Sequence, residues 1–382
     1  MLALRLPGFV VTASALSKKL SLPTRRDALS GLAIAPIVAP SRQAGTQASM
    51  SGARDHPDKE QLQNAVSKII PKLTPEKSKG QAGIIGTIGG CREYTGAPFF
   101  ASFSALKVGA DLSHVFCTEG AATVIKSYSP ELIVHPYLAD YNDLPLELQK
   151  SEQAHKEAVD RAISATSHWM ARFTVVVIGP GLGRDELVHK TVTEVIKELR
   201  EKNTPMVIDA DGLYIVTKNL DLVKGYAHAV LTPNKNEYQR LADQLDIDIE
   251  QEGSFEKIVK ALDGPTLVRK GTVDTISDGE TTLVCDEPGS NRRAGGQGDV
   301  LSGSIAAFLS WALQYGKDKG IEQAADKFPL GLKPHVLAAW GACCIARNAA
   351  ARAYEKKGRS MLAADVIEEL GGSVDWLAEE SA

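Results

Sequence analysis

Short uninterrupted apolar runs recur along this chain with longer amphipathic segments between them, and this alternation constrains the fold more than any other feature. The runs at 114–117, 132–134, 174–178, 205–208, 229–231 and 266–268 are too short for helices and read as strands. Helical spacing marks 55–73, through Leu62, Val66, Ile69 and Ile70 with Pro71 closing it, and again 121–128, 155–171 and 185–201. Pro98 suits the first turn of a helix carrying Phe99, Phe103 and Leu106. Residues 83–90, GIIGTIGG, read as a glycine-rich loop after a strand-like run. Residues 273–284 read as a hairpin turning at Asp278-Gly279, and 300–314 and 336–354 as two long helices. Strands that are apolar along their whole length must be covered on both faces. The chain is therefore predicted to be α/β, a three-layer α/β/α arrangement around a mostly parallel central sheet. No repeat or linker interrupts residues 55–380, which are expected to form a single domain.

Residues 1–50 do not share this pattern. No acidic residue precedes Asp27, while Arg5, Lys18, Lys19, Arg25, Arg26 and Arg42 are spread among Ser, Thr and Ala. That composition fits an organellar transit peptide, mitochondrial or plastid. Apolar patches at 8–16 and 29–39 also resemble a secretory core, and Arg25-Arg26 a twin-arginine signal. Five cysteines with no CxxC pair argue against secretion and against a zinc knuckle, and they favour the transit reading. Met50 offers an alternative start that would give a cytoplasmic form.

Partners are expected to be small molecules. With 43 Lys+Arg against 47 Asp+Glu, the net charge of −4 recruits no nucleic acid, and no apolar run reaches the ~18 residues of a membrane span. No HxxxH or HExxH spacing occurs among the eight histidines. Assembly into a homo-oligomer is left open.

In an open parallel sheet, ligands gather beyond the carboxyl ends of the strands. Five successive strand ends here carry chemistry-bearing residues: Gly179-Pro-Gly-Leu-Gly183, Asp209-Ala-Asp-Gly212, Thr232-Pro-Asn-Lys-Asn-Glu237, Arg269-Lys-Gly-Thr-Val-Asp274, and the stretch 291–303, NRRAGGQGDVLSG. Glycines at 295, 296 and 298 let backbone approach a ligand, and the helix start that follows offers unpaired N–H groups to an anion. The same glycines also suit a plain turn, with Asp299 as an N-cap. Lys270 reads either as a phosphate contact or as a solvated strand end. Asn234 and Glu237, spaced i, i+3, read either as Mg²⁺ partners acting through water or as a cap with its N3 residue. Asp209 and Asp211 read as turn formers or as catalysts.

Neither GxGxxG nor GxxxxGK[ST] occurs, which sets aside hydride-transfer Rossmann enzymes and Walker-type NTPases. Taken together, GPGLG after a strand, the NxxE box in LTPNKNEYQRL, KGTVD, and RRxGGQGD before a helix resemble the ribokinase-like superfamily. Within it, the chain is similar over about residues 62–370 to the ATP-dependent NAD(P)H-hydrate dehydratases in their eukaryotic form. The resemblance implies ATP-driven dehydration of the S epimer of hydrated NADH or NADPH (NADHX, NADPHX), releasing ADP and phosphate, with ATP as co-substrate and Mg²⁺ as cofactor. It also implies roles. Gly181 or Gly183, with Asn234, Lys235, Asn236, Glu237, Tyr238, Gln239 and Arg240, would contact the hydrate, and Glu237 would stand near Mg²⁺ through water. Lys270, Gly271, Thr272, Val273 and Asp274, with Gly289, Ser290, Asn291, Arg292, Arg293, Ala294, Gly295, Gly296, Gln297 and Gly298, would hold ATP. Gly296 and Gly298 would cradle the transferring phosphoryl group, and Asp299 would face the hydroxyl while closing its helix. Ala294 departs from the cysteine expected in many relatives. The rival reading is a small-molecule kinase of the same fold acting on a vitamin-precursor alcohol.

Overall fold

The computed structural model describes residues 57–379 apart from 76, 77 and 323, so residues 1–50 and Met50 lie outside it. Along the chain the elements are α1 (Lys59–Ile69), β1 (Ile84–Ile88), α2 (Gly96–Val108), β2 (Leu112–Thr118), α3 (Glu119–Tyr128), β3 (Ile133–Leu138), α4 (Glu152–Met170), β4 (Val175–Ile178), α5 (Glu186–Glu201) and β5 (Met206–Ile208). There follow α6 (Ala210–Lys218), β6 (Ala229–Leu231), α7 (Lys235–Gln244), α8 (Ser254–Leu262), β7 (Thr266–Arg269), β8 (Asp274–Ser277), β9 (Thr282–Cys285), α9 (Gln297–Lys319), α10 (Pro334–Lys357) and α11 (Ala363–Glu379).

The strands pair in the order β3-β2-β1-β4-β5-β6-β7-β8-β9, parallel through β7 and antiparallel for the last two. Side chains alternate across this sheet with period two. Val175, Val177, Val207, Val230 and Val268 face a core shared with α1, α2, α9, α10 and α11, whereas Val176, Ile178, Met206, Ile208 and Leu231 face one shared with α5, α6, α7 and α8. Burial on both faces explains why the strands read as continuous apolar runs. Helix starts are set locally: the Asp185 carboxylate accepts the N–H groups of Leu187 and Val188, and Asp58 forms a capping box with Gln61.

Three expectations are corrected. Residues 83–90 are not a loop, because Ile84–Ile88 is the strand β1 at the centre of the sheet. Gly86 misleads the reading: a Cβ there would stand 3.0 Å from the Phe173 ring, so the glycine makes room for an aromatic lying on the strand. The segment after Asp209 is a helix rather than a turn, entered through Ala210 at φ +47°. A third helix, α11, joins the layer of α9 and α10.

Chain order reverses direction between β1 and β4, which opens a crevice at their carboxyl ends. The loop after β1 is closely applied to the loop after β4 there. A Cβ on Gly89 would collide with the Pro180 carbonyl, and one on Gly181 would stand 2.7 Å from the Tyr94 carbonyl oxygen.

Candidate active site

Successive strand ends are stitched to one another by backbone bonds. Gly179 N–H donates to Ile88, Asp209 N–H to Ile178, Thr232 N–H to Ile208 and Lys270 N–H to Pro233. This fixes one polar side chain after another along the crest of the sheet. At its centre, Asp209 is 2% exposed and is compensated by two donors, the Thr232 hydroxyl at 2.8 Å and the Lys270 ammonium at 2.8 Å. Lys270 is thus neither a solvated strand end nor a free cation, and Asp209 is more than a turn former.

Helix α9 points its N-terminus at this pair. Gly296, at φ +93°, is its N-cap, and Val300 is the first residue to bond back, to the Gly296 carbonyl. The N–H groups of Gln297, Gly298 and Asp299 are left without intrahelical partners and carry the positive end of the helix dipole. A Cβ on Gly298 would stand 3.4 Å from the Lys270 ammonium, so bare backbone lies over the ion pair. Asp299 occupies the third position of the helix, and its carboxylate makes no capping bond, which corrects the expectation that it closes the helix. A glycine in the left-handed region makes the turn instead. Burial, and after it the charge of Asp209, push the Asp299 carboxyl well above the ordinary carboxylate range, with Lys270 acting against them and Glu237 and Asp211 adding to them. Such a carboxyl, partly buried with its oxygens uncommitted to the backbone, can take a proton from a neighbouring hydroxyl.

Asn234 and Glu237 form a complete capping box on α7. The Asn234 side-chain oxygen accepts from Asn236 N–H at 2.9 Å and Glu237 N–H at 3.0 Å, while Glu237 Oε2 accepts from Asn234 N–H at 2.8 Å. The other Glu237 oxygen stays outside the cap. Among the described residues no three acidic, histidine or cysteine side chains gather as a metal cage. That donor set fits Mg²⁺ held chiefly by substrate phosphates and waters, with one carboxylate in support. Residues 234–240 do not form a continuous wall. Tyr238 is buried in the core beneath the Arg269 guanidinium, and Gln239 bonds Asp243 along the outer face of the helix.

A cleft opens beside the N-terminus of α9. Lys270, Gly271, Asp274, Gly289, Ser290, Arg293, Gln297 and Gly298 line it, and Leu301, Ala346, Ala350 and Val366 supply an apolar wall. Thr272, Val273, Asn291, Arg292, Ala294, Gly295 and Gly296 lie outside that lining. Arg347 went unrecognised in the sequence, where it is one of two arginines in the alanine-rich helix α10. Its Nε bonds Asp274 at 2.6 Å, and its other nitrogens donate to the Thr272, Gly271 and Glu287 carbonyls. Asp274 spends its other oxygen on Gly271 N–H, so it shapes the 271–274 turn from within. Gly181 and Gly183, at φ +63° and +76°, are both buried, and Gly183 N–H is taken by Asp211 Oδ2 at 2.8 Å.

The comparisons with known proteins point the same way. A family model described as NAD(P)H-hydrate dehydratase matches residues 85–371. The chain belongs to the NAD(P)H-hydrate dehydratase family. It is 48% identical to the ATP-dependent (S)-NAD(P)H-hydrate dehydratase of Vitis vinifera, over 82% of this chain and 86% of that one, and 43% identical to the human protein of that name, over 87% and 88%. Among solved structures, a ribokinase-like superfamily protein of Enterococcus faecalis aligns at TM-score 0.62 and 20% identity, covering 83% of this chain and 95% of that one. The ADP/ATP-dependent NAD(P)H-hydrate dehydratase of Bacillus subtilis, co-crystallised with ATP/Mg²⁺, aligns at 0.55 and 16%, covering 82% and 97%. Both likenesses show a shared α/β fold, which the first of these neighbours carries as a ribokinase-like protein.

Proposed function

We propose that this protein uses ATP to dehydrate the S epimer of hydrated NADH and NADPH, returning the reduced cofactor with ADP and phosphate. One observation carries the reading: the Asp299 carboxyl, raised above its ordinary range, stands in the first turn of α9 beside the Asp209–Lys270 pair. In this reading the ring hydroxyl of the hydrate attacks the γ-phosphorus of ATP as Asp299 accepts its proton, and ADP departs. The unpaired N–H groups of Gln297 and Gly298, together with the α9 dipole, stabilise charge on the phosphoryl oxygens. The ring nitrogen lone pair then expels phosphate, and loss of a proton from the adjacent ring carbon restores the double bond. Phosphate is a far better leaving group than hydroxide, which is why ATP is consumed.

The residues 271–274 and 289–298 are assigned to ATP, with Arg347 holding the first segment in place. Mg²⁺, when bound, supplies charge neutralisation between the phosphates, and the uncapped oxygen of Glu237 suits a water-mediated contact with it. Residues 55–380 are taken as one catalytic domain, and residues 1–50 as an organellar address, for which N-terminal sequencing of the native protein is the measurement.

The deciding assay mixes purified protein with hydrated NADH, ATP and Mg²⁺ and omits each in turn. NADH absorbance should return with equimolar ADP and phosphate in the complete mixture alone. A stable phosphorylated organic product would instead establish a kinase.

A further inference from the structure

Beside the Gly179–Gly183 loop two cations from different elements converge on one aromatic ring, and a third lies on α7, which packs against α6. Arg184 follows β4, Lys218 ends α6 and Arg240 lies on α7. The first two share one aromatic ring: the Arg184 guanidinium lies 4.1 Å and the Lys218 ammonium 4.3 Å from the Tyr214 ring centroid. The Tyr214 hydroxyl is drawn below its ordinary pKa by Lys218 first and then by Arg184 and Arg240, so the third cation is within electrostatic reach of the same ring. One carboxylate belongs to the group. Asp211 pairs with Arg184 and gives its other oxygen to Gly183 N–H, while Lys218 and Arg240 pair with no carboxylate among the described residues.

Holding like charges together around one ring opposes folding unless an anion offsets them. Cation–π contacts hold two of these side chains in place before any ligand arrives, which lowers the entropic cost of binding one. The cluster is also continuous with the reacting centre. Asp211 lies in the first turn of α6 and its charge is felt by Asp299, while Tyr214 and Lys218 follow it at i+3 and i+7 on the same helix face. Two turns of helix span roughly 10 Å, about the reach of a nicotinamide riboside from its ring to a phosphate.

We propose that Arg184 and Lys218, held on the Tyr214 ring, form with Arg240 on the neighbouring helix α7 a subsite for a phosphate group of the hydrated dinucleotide. This rests on the dehydratase reading for its ligand. The phosphate has two sources, the bridging pyrophosphate present in both cofactors and the 2′-phosphate present only in the NADP form.

Lys218 is the position to vary, because it is exposed and touches neither Asp299 nor the ATP cleft. The test is equilibrium titration of NADH and of NADPH, the reaction products, into wild type, Lys218→Ala, Lys218→Glu and Lys218→Arg, with Michaelis constants for both hydrates and for ATP measured alongside. Loss of one charge-assisted phosphate contact should weaken product binding about tenfold in Lys218→Ala, more in Lys218→Glu, and little in Lys218→Arg. KM for the hydrate should rise in parallel, with kcat and KM for ATP unchanged. A loss confined to NADPH assigns the subsite to the 2′-phosphate, and an equal loss for both assigns it to the pyrophosphate. Unchanged affinity for both, or a wild type that binds neither, overturns the subsite. A wild type that binds the products but never restores NADH from the hydrate overturns the dehydratase reading and leaves the subsite standing.

Discussion

Asp299 sits where its own ionisation is opposed. In the folded protein its carboxyl holds a proton to higher pH than the ordinary value of 3.8, because burial and the Asp209 charge disfavour the anion more than Lys270 favours it. A general base works only when deprotonated, so kcat/KM should climb with pH along an acidic limb lying above the usual carboxylate range, and a pH–rate profile reads that limb directly. Asp299→Asn should lower turnover by about 10²–10⁴-fold while ATP binding, followed by titration, persists. The stability effect has the opposite sign. A folded pKa raised above the unfolded one means that ionisation costs stability once pH exceeds 3.8, and the cost is complete above the folded pKa. At neutral pH the amide removes that cost, so Asp299→Asn should melt at a higher temperature than wild type, with the gain vanishing below pH 3.8. A variant that is inactive and less stable would instead mark Asp299 as a structural group.

Helix α9 makes two demands at the scale of elements, and the sequence displays one of them. Its glycines before Asp299 were legible as a turn leading into a helix, whereas Gly303 was not legible as a packing device. A Cβ on Gly303 would strike the Ala101 carbonyl of α2, so the two helices touch backbone to backbone. Gly303→Ala should cost about 1–3 kcal/mol in chemical denaturation. In the turn itself, Gly296→Ala meets a left-handed φ together with Phe100 at 2.7 Å and Ala363 at 2.9 Å, whereas Gly295 has nothing within 4 Å. Gly296→Ala should therefore lose stability and weaken ATP binding, while Gly295→Ala should stay within about 0.5 kcal/mol of wild type. The same contrast explains what could be read in advance. The strands from β4 to β7 were plain because burial on both faces writes itself into the sequence as apolar runs. Strand β1 was misread because a glycine inside a strand answers to a partner 87 residues away, the Phe173 ring. Asp209 and Lys270, 61 residues apart, showed their residue types but not their bond, and Arg347 gave no periodic signal because its targets are carbonyls on distant turns.

Across the whole molecule, two histidine pairs sit far apart in the strand order of one sheet. His114 and His135, on β2 and β3, stack with 3.0 Å between Nδ1 and Nε2, packed against Trp169 and with the Arg172 guanidinium over that indole. His228, just before β6, and His335, on α10, have ring centroids 5.5 Å apart. Burial lowers all four; His135 is pushed down to about 4, with the His114 charge assisting, and His335 to about 3, with His228 assisting and Asp278 opposing. In the unfolded chain each returns to the ordinary value of 6.5, so below that pH the unfolded state binds protons that the folded state refuses. The stability contributed by the neutral histidines is whole above pH 6.5 and drains away as pH falls, until His135 takes a proton near 4 and His335 near 3. Each histidine adds up to about 1.4 kcal/mol per pH unit to that slope, and Asp299 subtracts from it because its raised pKa favours the folded state as pH falls. The raised carboxyls of Asp143 and Glu237 subtract in the same way and the lowered one of Glu369 adds, and the four histidines leave a net loss. Calorimetric melting should show a plateau above pH 6.5 and a steep decline between 6.5 and 4. His135→Gln, neutral in both states, should melt lower than wild type at pH 7 through lost packing, yet decline less steeply with acid; an unchanged slope would show that this pair does not govern acid stability.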